Sequence, residues 1–330
     1  MADTMRALLA HNAGDPKDLR IEEAPIPTPE AGEVLIRITA AAVNRSDALS
    51  CRGILPGPFP RILGRDFAGV VVAGSTELEG VRVWGSGGRD LGLAMNGSHA
   101  EYMVAPVSGV TPIPDRLSDI EAGASGLAYF TAAEAIARAG GMRPGKTCIV
   151  TGAAGGVGGA VAALAHWQGM RVVGVVKSDA ESERLRRSHF SEVVPADAPN
   201  FVTLLADAAE EAVLAVDVVG GSMIAAILPA LAVGGGLCIL GAPAANPLAA
   251  VDTLHFYRQE LRLVGLHTGR LTSTDSARVL ASLADGFASG ALVGAPIFAT
   301  YPLDSAQQAY HDVESGVAGR PVLVPAGTLP

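Results

Sequence analysis

The chain has 330 residues, of which 49% are hydrophobic and 17% charged, and its formal net charge at pH 7 is −9. That length exceeds one ordinary hydrophobic core and predicts two domains. The negative charge argues against a nucleic-acid partner, because no stripe of basic residues offsets it. Apolar runs stay below the ~18–20 residues that span a bilayer, so no membrane partner is predicted. The first residues lack the charged start and apolar core of a secretory signal, and we expect a cytoplasmic protein.

The three cysteines, Cys51, Cys148 and Cys238, lie far apart in the sequence. They form no Cys-x-x-Cys pair, and therefore predict neither a disulfide framework nor a structural zinc cluster. Cys148 and Cys238 fall within apolar runs, which is typical of cysteines that act as small buried hydrophobic residues.

The first third of the chain has the pattern of short β-strands. Residues 33–40 alternate and are rich in β-branched side chains, and residues 67–72 follow a glycine-rich turn. Frequent prolines between positions 25 and 60 exclude long helices from this region. The pattern predicts a compact, partly open β-barrel-like domain.

The composition changes near Ser118, where the chain becomes rich in alanine and helical in pattern. A helix is predicted over 120–139, and after it strands alternate with helices, which indicates βαβ units, a parallel sheet and an α/β fold. The predicted strands are 147–150, 171–176, 192–194, 213–219, 237–240 and 261–265, and the helices between the first of them are 157–168 and 180–187. A helix over 275–288 and β-like segments at 295–300 and 321–324 follow.

A glycine-rich loop, Gly152–Gly158, joins the strand at 147–150 to the helix at 157–168. A dinucleotide pyrophosphate requires a tight turn, a close approach of backbone and free N–H groups at a helix N-terminus. Ala153 replaces the first glycine of the usual pattern, which a turn accepts where φ stays negative. The flanking strand and helix favour a dinucleotide site over a turn that binds nothing. The candidate cofactor-binding residues are Ala153, Gly155, Gly156, Val157 and Gly158.

The end of the second strand of this region predicts which dinucleotide binds. A site for NAD places Asp or Glu there to bond the ribose 2′-hydroxyl, whereas this chain has Val176. Lys177 and Ser178 follow, and they can pair with and hydrogen-bond a 2′-phosphate. Asp179 opposes this interpretation if its carboxylate points inward, and Lys177 is alternatively a solvated loop charge. NADPH is therefore the predicted cofactor.

The whole chain resembles the medium-chain dehydrogenase/reductase superfamily, and specifically its zinc-free quinone oxidoreductase (zeta-crystallin-like) branch. Each motif alone is weak, but together they are highly specific for that family. The resemblance rests on the glycine-rich loop and on Gly32–Arg37 (GEVLIR), Ala42–Asp47 (AVNRSD), Leu63–Val71 (LGRDFAGVV), Gly97–Tyr102 (GSHAEY) and Gly316–Val322 (GVAGRPV).

The resemblance implies a Rossmann doubly wound parallel sheet inserted into a GroES-like β-barrel substrate domain. Residues 1–125 and 266–330 would form the substrate domain and residues 126–265 the Rossmann domain, with the active site in the cleft between the two. The resemblance also implies a homodimer that pairs through the edge of the Rossmann sheet, and the apolar segment 261–266 suits such pairing.

Zinc is a further point on which the resemblance bears. Zinc-dependent relatives have Cys at the position of Asn44 and a His-Glu pair at the positions of Arg65 and Asp66. Zinc needs thiolate or imidazole ligands, and a guanidinium cannot coordinate it. The loop of four cysteines that binds structural zinc is absent as well, so no metal is predicted.

The candidate catalytic residues come from the same resemblance. Asn44, in an Asn-x-x-Asp motif that ends at Asp47, would face the nicotinamide and orient the substrate carbonyl, or else would bond backbone in its own loop. Arg65 would stabilise developing oxyanion charge, or else would pair with Asp66 or Asp47 and never touch substrate. Asp47 is interpreted as a structural cap. Thr131 would lie near the nicotinamide, or else would be an ordinary helix residue.

Three further cofactor candidates follow later strands. Gly241 and Ala242 match the family segment whose backbone contacts the nicotinamide carboxamide. His267 lies where the family's chain returns to the cleft, although a lone histidine there is more often structural.

Leu55 is a departure from the branch, in which enoyl-thioester reductases and many quinone oxidoreductases carry a Tyr after the Asn-x-x-Asp motif. A leucine cannot donate a proton, which weakens an enoyl-thioester function, whereas a quinone or enone can take its proton from solvent. The predicted function is NADPH-dependent hydride transfer to a small-molecule quinone or α,β-unsaturated carbonyl. The alternatives are an enoyl-thioester or polyketide-type enone reductase, and an NADPH-binding protein without catalysis.

Overall fold

The computed structural model describes residues 4–185, 189–210, 212–241 and 245–325. The chain forms two compact units, of which one consists of the chain up to Phe130 together with the chain from Thr268 onward. The other unit is Thr131–His267. The predicted domain boundaries at 125 and 265 stay a prediction, since compactness alone does not show which part folds or acts independently.

The amino-terminal part of the first unit consists mostly of strands. The longest strand buries every second residue, because Val34, Ile36 and Ile38 face the core. In chain order the elements are β1 (Thr4–Ala10), β2 (Arg20–Pro25), β3 (Glu33–Ala42), α1 (Arg45–Cys51), β4 (Arg61–Ile62), β5 (Asp66–Ala73), β6 (Arg82–Ser86), β7 (Tyr102–Pro106), β8 (Thr111–Pro112) and α2 (Asp119–Ala139), whose residues from Thr131 onward belong to the second unit. The strands predicted at 33–40 and 67–72 are confirmed as β3 and β5, and the helix predicted at 120–139 is confirmed as α2.

Strands and helices alternate in the second unit. They are β9 (Thr147–Thr151), α3 (Gly156–Trp167), β10 (Arg171–Val176), α4 (Asp179–Leu185), β11 (Glu192–Pro195), α5 (Phe201–Ala208), β12 (Ala212–Asp217), α6 (Met223–Ile227), β13 (Leu231–Ile239), α7 (Thr253–Arg258) and β14 (Arg262–Gly265). The strands pair in parallel in the order β11-β10-β9-β12-β13-β14. This is the doubly wound Rossmann order, which reverses between β9 and β12, and the predicted α/β fold class is confirmed.

The centre of this sheet is buried on both faces. All residues of β9 and β12 are buried, as expected for parallel strands that are covered on each side. Cys148 and Cys238 are free thiols within the buried strands, which confirms their interpretation as core residues.

The carboxy-terminal part of the chain returns to the first unit as α8 (Ser273–Ser282), α9 (Ala284–Ser289), β15 (Ile297–Pro302), α10 (Ala306–Ser315) and β16 (Arg320–Val324). Strand β16 pairs antiparallel with β3 and continues a sheet of order β15-β16-β3-β5-β6-β8, with β7 also paired to β3. A smaller sheet has the order β2-β1-β4. The last strand therefore lies beside the strand that leads into α1.

One predicted helix is wrong in its length. The segment 275–288 was predicted as a single helix, but it is part of α8 and α9, which meet at Leu283. The backbone of Leu283 has φ −96° and ψ −1°, in the bridge region where a helix ends.

None of the helices that the structure describes is long and apolar enough to cross a membrane.

Two strand boundaries also differ from the prediction. β12 ends at Asp217 and not at 219, because the Asp217 carboxylate accepts the next free N–H groups and turns the chain. β13 begins at Leu231 and not at 237, and it runs through consecutive glycines. A Cβ at Gly236 would lie 1.8 Å from the carbonyl oxygen of Ala139, so the strand needs glycine where α2 ends against it.

A buried histidine connects two parts of the first unit. His99 Nε2 lies 3.2 Å from the carbonyl oxygen of Ala42, which only accepts, so Nε2 carries the proton. Nδ1 then accepts from the Tyr310 hydroxyl at 3.0 Å. Burial lowers the pKa of His99 to about 4, and the ring is therefore neutral at pH 7. A neutral, fully bonded imidazole is a structural group of the core.

Candidate active site

The glycine-rich loop of the second unit has the geometry that its sequence predicts. It leaves β9 through Gly152, which has φ +58°, and Gly155 is the N-cap of α3. A Cβ on Gly158 would lie 2.3 Å from the carbonyl oxygen of Gly152. The loop therefore folds tightly over the first turn of α3, and only glycine leaves room for it.

The candidate residues Gly156, Val157 and Gly158 form the first turn of α3. Their N–H groups have no acceptor within the helix, and together with the helix dipole they make a site for an anion. The backbone beneath them is fixed, because the N–H of Ala153 donates to the carbonyl oxygen of Val175 at 3.1 Å. The loop is thus a cradle that fits a pyrophosphate.

Ala153 fits because its neighbour is a glycine. Ala153 is buried, and a Cβ on Gly174 of β10 would lie 3.1 Å from the Ala153 Cβ. The methyl group that replaces the first glycine of the pattern therefore occupies space that Gly174 leaves open.

The buried carboxyl group of Asp217 holds the backbone next to the glycine-rich loop. Asp217, at the end of β12, accepts the Thr151 hydroxyl at 2.5 Å and the N–H groups of Val219 and Gly220 at 3.0 and 2.9 Å. The Thr151 oxygen in turn accepts the N–H of Val218 at 3.0 Å. Since Thr151 ends β9, the contact joins the two strands between which the strand order reverses. That edge is where doubly wound sheets bind their ligands.

The predicted 2′-phosphate residues lie in the turn after β10. Lys177 is exposed and Ser178 is half-buried. The carbonyl oxygen of Ser178 accepts the N–H groups that begin α4, and the N–H of Lys177 donates to Glu181 Oε2 at 3.0 Å. A second carboxylate, beyond the Asp179 that the sequence indicated, therefore lies at this turn.

The remaining cofactor candidates have different surroundings. Gly241 follows β13, and a Cβ there would lie 3.0 Å from the carbonyl oxygen of Val218, so it lies against the turn that Asp217 holds. Ala242 lies outside the described residues. His267 is exposed after β14. Thr131 is buried within α2.

In the first unit, three polar side chains that are distant in sequence form one cluster: Asn44, Asp66 and Arg320. Asn44 is 3% exposed and caps the N-terminus of α1. Its Nδ2 donates to Asp66 Oδ2 at 3.0 Å, and its Oδ1 accepts a hydrogen bond from the guanidinium of Arg320. Arg320 Nη2 also lies 3.4 Å from Asp66 Oδ2. The buried amide is therefore held between a carboxylate and a guanidinium.

Asp66 is the centre of this cluster. It is fully buried at the start of β5, and its Oδ1 accepts the N–H of Leu127 of α2 at 2.6 Å. A Cβ on Gly126 would lie 2.9 Å from the same oxygen, so the helix needs a glycine to come this close. Burial raises the pKa of Asp66, and the Arg320 charge and the Asn44 hydrogen bond oppose that increase.

The Arg65 guanidinium holds a loop and does not pair with a carboxylate. It is 3% exposed, and its Nε and Nη2 donate to the carbonyl oxygens of Gly87 and Gly88 at 3.1 and 2.9 Å. Its Nη1 donates to Ser46 Oγ at 3.2 Å. In the described part of the chain it forms no ion pair, and burial lowers its pKa. This geometry favours a structural role over the oxyanion role that was predicted.

Asp47 caps α1, as the sequence indicated. Its Oδ2 accepts the backbone N–H of Asn44 at 2.7 Å, which fixes the residue that carries the amide. Burial raises the pKa of Asp47 to about 6, against the effect of that hydrogen bond and of Arg65.

The donor set around Asn44 does not suit zinc. An amide and a guanidinium stand at two positions where zinc-dependent relatives have thiolate and imidazole, and neither is a ligand of that kind. Among the described residues, no three His, Cys, Asp or Glu side chains come together as a metal site. The carboxylate of Asp66 is already committed to Asn44, Leu127 and Arg320.

Two residues that hold these sites in place, Arg320 and Asp217, were not identified from the sequence. Arg320 is 254 residues from Asp66, and it was noted only as part of a motif. Asp217 falls within the strand predicted at 213–219 and was not singled out. A carboxylate at the end of an otherwise buried strand was the signal that could have identified it, since such a group must find donors.

Comparison with known proteins shows the family. The model of the alcohol dehydrogenase GroES-like domain matches residues 30–115, and that of zinc-binding dehydrogenases matches residues 156–285. A zinc-type alcohol dehydrogenase-like protein of Schizosaccharomyces pombe is 32% identical over 82% of this chain and 81% of its own. A putative quinone oxidoreductase of Bacillus subtilis is 31% identical over 73% of this chain and 75% of its own. The structure of a mycobacterial quinone oxidoreductase has a TM-score of 0.83 and 28% identity over 97% of this chain and 100% of its own.

The chain therefore belongs to the medium-chain dehydrogenase/reductase superfamily. Within it, the chain belongs to the zinc-free quinone oxidoreductase branch, as the sequence motifs predicted. It is an oxidoreductase by this membership.

Two neighbouring glycines of α3 provide a test of the cofactor site with a matched control. Gly158→Ala places a Cβ 2.3 Å from the Gly152 oxygen, whereas Gly159→Ala, one residue later in α3, meets its nearest atom, the Ala153 oxygen, at 4.0 Å. We expect Gly158→Ala to weaken NADPH binding by about tenfold or more, because the backbone that faces the phosphates must shift. We expect Gly159→Ala to bind as the wild type does and to gain about 1 kcal/mol of helix stability. Isothermal titration with NADPH and a thermal melt of each variant measure both effects, and equal affinities for the two variants would contradict the site.

Proposed function

We propose that this protein is an NADPH-dependent, zinc-independent oxidoreductase that transfers hydride to a quinone or an α,β-unsaturated carbonyl. The observation that carries the proposal is the amide of Asn44, which is buried and held between Asp66 and Arg320. It stands at a position where zinc-dependent relatives have a metal ligand. A metal-free enzyme needs another fixed electrophile at such a place, and an oriented amide is one.

The residues of the second unit fit the cofactor. The first turn of α3, with Gly156, Val157 and Gly158, would hold the pyrophosphate, and Lys177 with Ser178 would hold a 2′-phosphate. Gly241 and His267 remain candidates for the nicotinamide end, and so does Thr131. NADPH supplies the hydride when it is bound. The bracing of the loop by Asp217 keeps its N–H groups aimed before the cofactor arrives.

Asn44 has one N–H to give to a substrate. The amide nitrogen carries two hydrogens, and the contact with Asp66 uses one of them. The other donates, in this proposal, to the carbonyl oxygen of the quinone or enone. Negative charge grows on that oxygen as hydride adds to the conjugated carbon, and a donor that is already in place stabilises the charge without reorganisation.

Arg65 has a different role in this proposal from the one that the resemblance implied. Three of its nitrogen atoms bond Gly87, Gly88 and Ser46, so we propose that it holds this loop and does not contact substrate. The proton of the product comes from solvent, because Leu55 stands where thioester reductases and many quinone oxidoreductases of the branch carry a Tyr. A quinone or enone accepts that route, since its reduced form is an enolate or a phenolate.

Turnover with a panel of electrophiles tests the proposed function. We expect NADPH oxidation with small quinones and enones, at rates unchanged by a metal chelator, and slower oxidation with a crotonyl thioester. Asn44→Ala removes the donor, and we expect it to lower kcat by about a hundredfold. Loss of the absorbance of reduced cofactor measures each rate. No turnover on any quinone or enone would refute the proposal, and faster turnover on the thioester would favour the enoyl reductase alternative.

The preference for NADPH over NADH depends on Lys177. Lys177→Glu removes a cation and adds a negative charge near the expected 2′-phosphate, so we expect NADPH to bind about tenfold more weakly or worse, while NADH is little affected. Lys17→Glu, on the exposed surface of the first unit, makes the same change in net charge and should leave both affinities as they are. An unchanged ratio of the two affinities in Lys177→Glu would show that Lys177 is a solvated loop charge.

We also propose that two copies pair through the edge of the Rossmann sheet. β14 is the last strand in the order β11-β10-β9-β12-β13-β14. The N–H of Leu266 bonds to the carbonyl oxygen of Ile239 in β13, so by alternation the N–H groups of Leu263 and Gly265 face away from the sheet. Apolar side chains that are 37–65% exposed occur on the same strands and on α7: Val233, Leu254, Tyr257 and Leu263. An open edge with apolar cover suits a second copy.

Sedimentation velocity tests this dimer. A lysine on a strand edge opposes pairing with another sheet, so we expect the wild type to sediment as a dimer and Leu263→Lys to sediment as a monomer. Val202→Lys is the control, because Val202 is exposed on α5. That helix packs against β11, which is at the opposite end of the sheet from β14. A monomeric wild type, or a dimer that Leu263→Lys leaves intact, would contradict this interface.

A further inference from the structure

We propose that Asp66 and Arg320 are positioning residues that fix which way the side-chain amide of Asn44 faces. The inference rests on the proposed function, in which the nitrogen of that amide donates to the substrate. Neither residue needs to touch substrate or cofactor for this role.

An asparagine amide has two nearly isosteric orientations, which exchange its oxygen and nitrogen. Shape alone does not select between them, so the neighbours must. Both oxygens of the Asp66 carboxyl group accept hydrogen bonds, from Asn44, Leu127 and Arg320, and the guanidinium of Arg320 only donates them. With Asp66 on the nitrogen and Arg320 on the oxygen, each group finds its match.

The opposite orientation is excluded by both neighbours at once. It would bring the amide oxygen against the Asp66 carboxylate and the amide hydrogens against the Arg320 guanidinium. Asn44 and Asp66 are buried, so water would not relieve either contact, and unmatched polar groups are costly there. The second N–H of Asn44 is consequently present on a fixed side of the amide.

The positions of the two selecting groups are themselves fixed by backbone. Asp66 Oδ1 accepts the N–H of Leu127 at 2.6 Å. The N–H of Val43, next to Asn44, donates to the carbonyl oxygen of Pro321, next to Arg320, at 3.0 Å. The strand β16 is therefore registered against the start of α1, and the guanidinium reaches the amide oxygen from the adjacent residue.

The single Nη2 atom of Arg320 lies against both Asn44 and Asp66. It donates to the carboxyl group and also to the amide, and the amide atom that accepts from it must be the oxygen. A glutamine at 320 lacks this selectivity, because its amide both donates and accepts. A lysine keeps it, since an ammonium only donates, although it gives up the planar fork.

Four variants separate orientation from simple structural support. Arg320→Gln and Asp66→Asn each replace a group of fixed polarity by an amide, and Arg320→Lys keeps the polarity. Arg82→Gln is the matched control, because Arg82 pairs with Asp119 in the same unit and does not contact Asn44. Thermal melts of all four show whether each variant is folded.

The first measurement is the side-chain amide signal of Asn44 by ¹⁵N NMR, assigned by its loss in Asn44→Ala. We expect one set of signals in the wild type, in Arg320→Lys and in Arg82→Gln. We expect two sets, or exchange broadening, in Arg320→Gln and in Asp66→Asn, because both orientations then become populated. This measurement does not depend on activity.

The second measurement is turnover of NADPH with a quinone. We expect Arg320→Gln and Asp66→Asn to lower kcat by about tenfold to a hundredfold, with the KM for NADPH changed by no more than about twofold. We expect Arg320→Lys to recover most of the turnover that Arg320→Gln loses, and Arg82→Gln to match the wild type.

The two measurements keep this inference apart from the proposed function. A single, unchanged amide signal in both Arg320→Gln and Asp66→Asn would overturn the positioning role, whatever the turnover does. Arg320→Lys as inactive as Arg320→Gln would overturn it as well, since polarity would then not be what matters. If the amide signal splits as expected but Asn44→Ala turns over like the wild type, the positioning role stands and the proposed role of Asn44 fails.

Discussion

The first unit depends on the hydrogen bonds that the buried carboxyl group of Asp66 accepts. An ionised carboxylate without water is costly unless donors surround it, and Asp66 receives them from Asn44, Leu127 and Arg320. These donors belong to the N-cap of α1, to α2 and to the start of β16. Removing any one donor leaves part of the carboxyl group unmatched in a place that excludes water, so the three elements are held together by the hydrogen bonds of a single group. A site built around such a centre is rigid by construction.

The second unit has a similar arrangement next to its glycine-rich loop. Asp217 takes donors from Thr151, Val219 and Gly220, and thereby joins β9 to the turn after β12. In both units a carboxylate at one end of a strand satisfies groups that would otherwise be free, and in both the result is a backbone fixed next to candidate chemistry. Catalysis gains from that arrangement, because groups that need no reorganisation act at full strength.

The sequence predicted what depends on local pattern. Alternation in 33–40 was sufficient for β3, the βαβ order after 147 was sufficient for the Rossmann sheet, and the motif around Gly152–Gly158 was sufficient for the tight turn into α3. Polar pairing was not predictable in the same way. Arg65 was weighed against its near neighbours in sequence, yet its guanidinium bonds Gly87 and Gly88. Nothing in a linear pattern states which of several distant charges meet, because that depends on the register of strands such as β16 on β3.

The cluster around Asn44 also bears on the kind of substrate that a metal-free site can serve. A guanidinium on the amide oxygen draws electron density from the amide and strengthens its N–H groups as donors, while the carboxylate on the other N–H opposes this effect. The donor that results is a neutral amide, so it is weaker than a metal dication. Hydride addition to a simple ketone leaves its charge on one oxygen, whereas addition to a quinone or an enone spreads the charge over a conjugated system. A neutral, oriented donor suits the second case better, and this is the physical reason for the proposal of a quinone or an enone as the substrate.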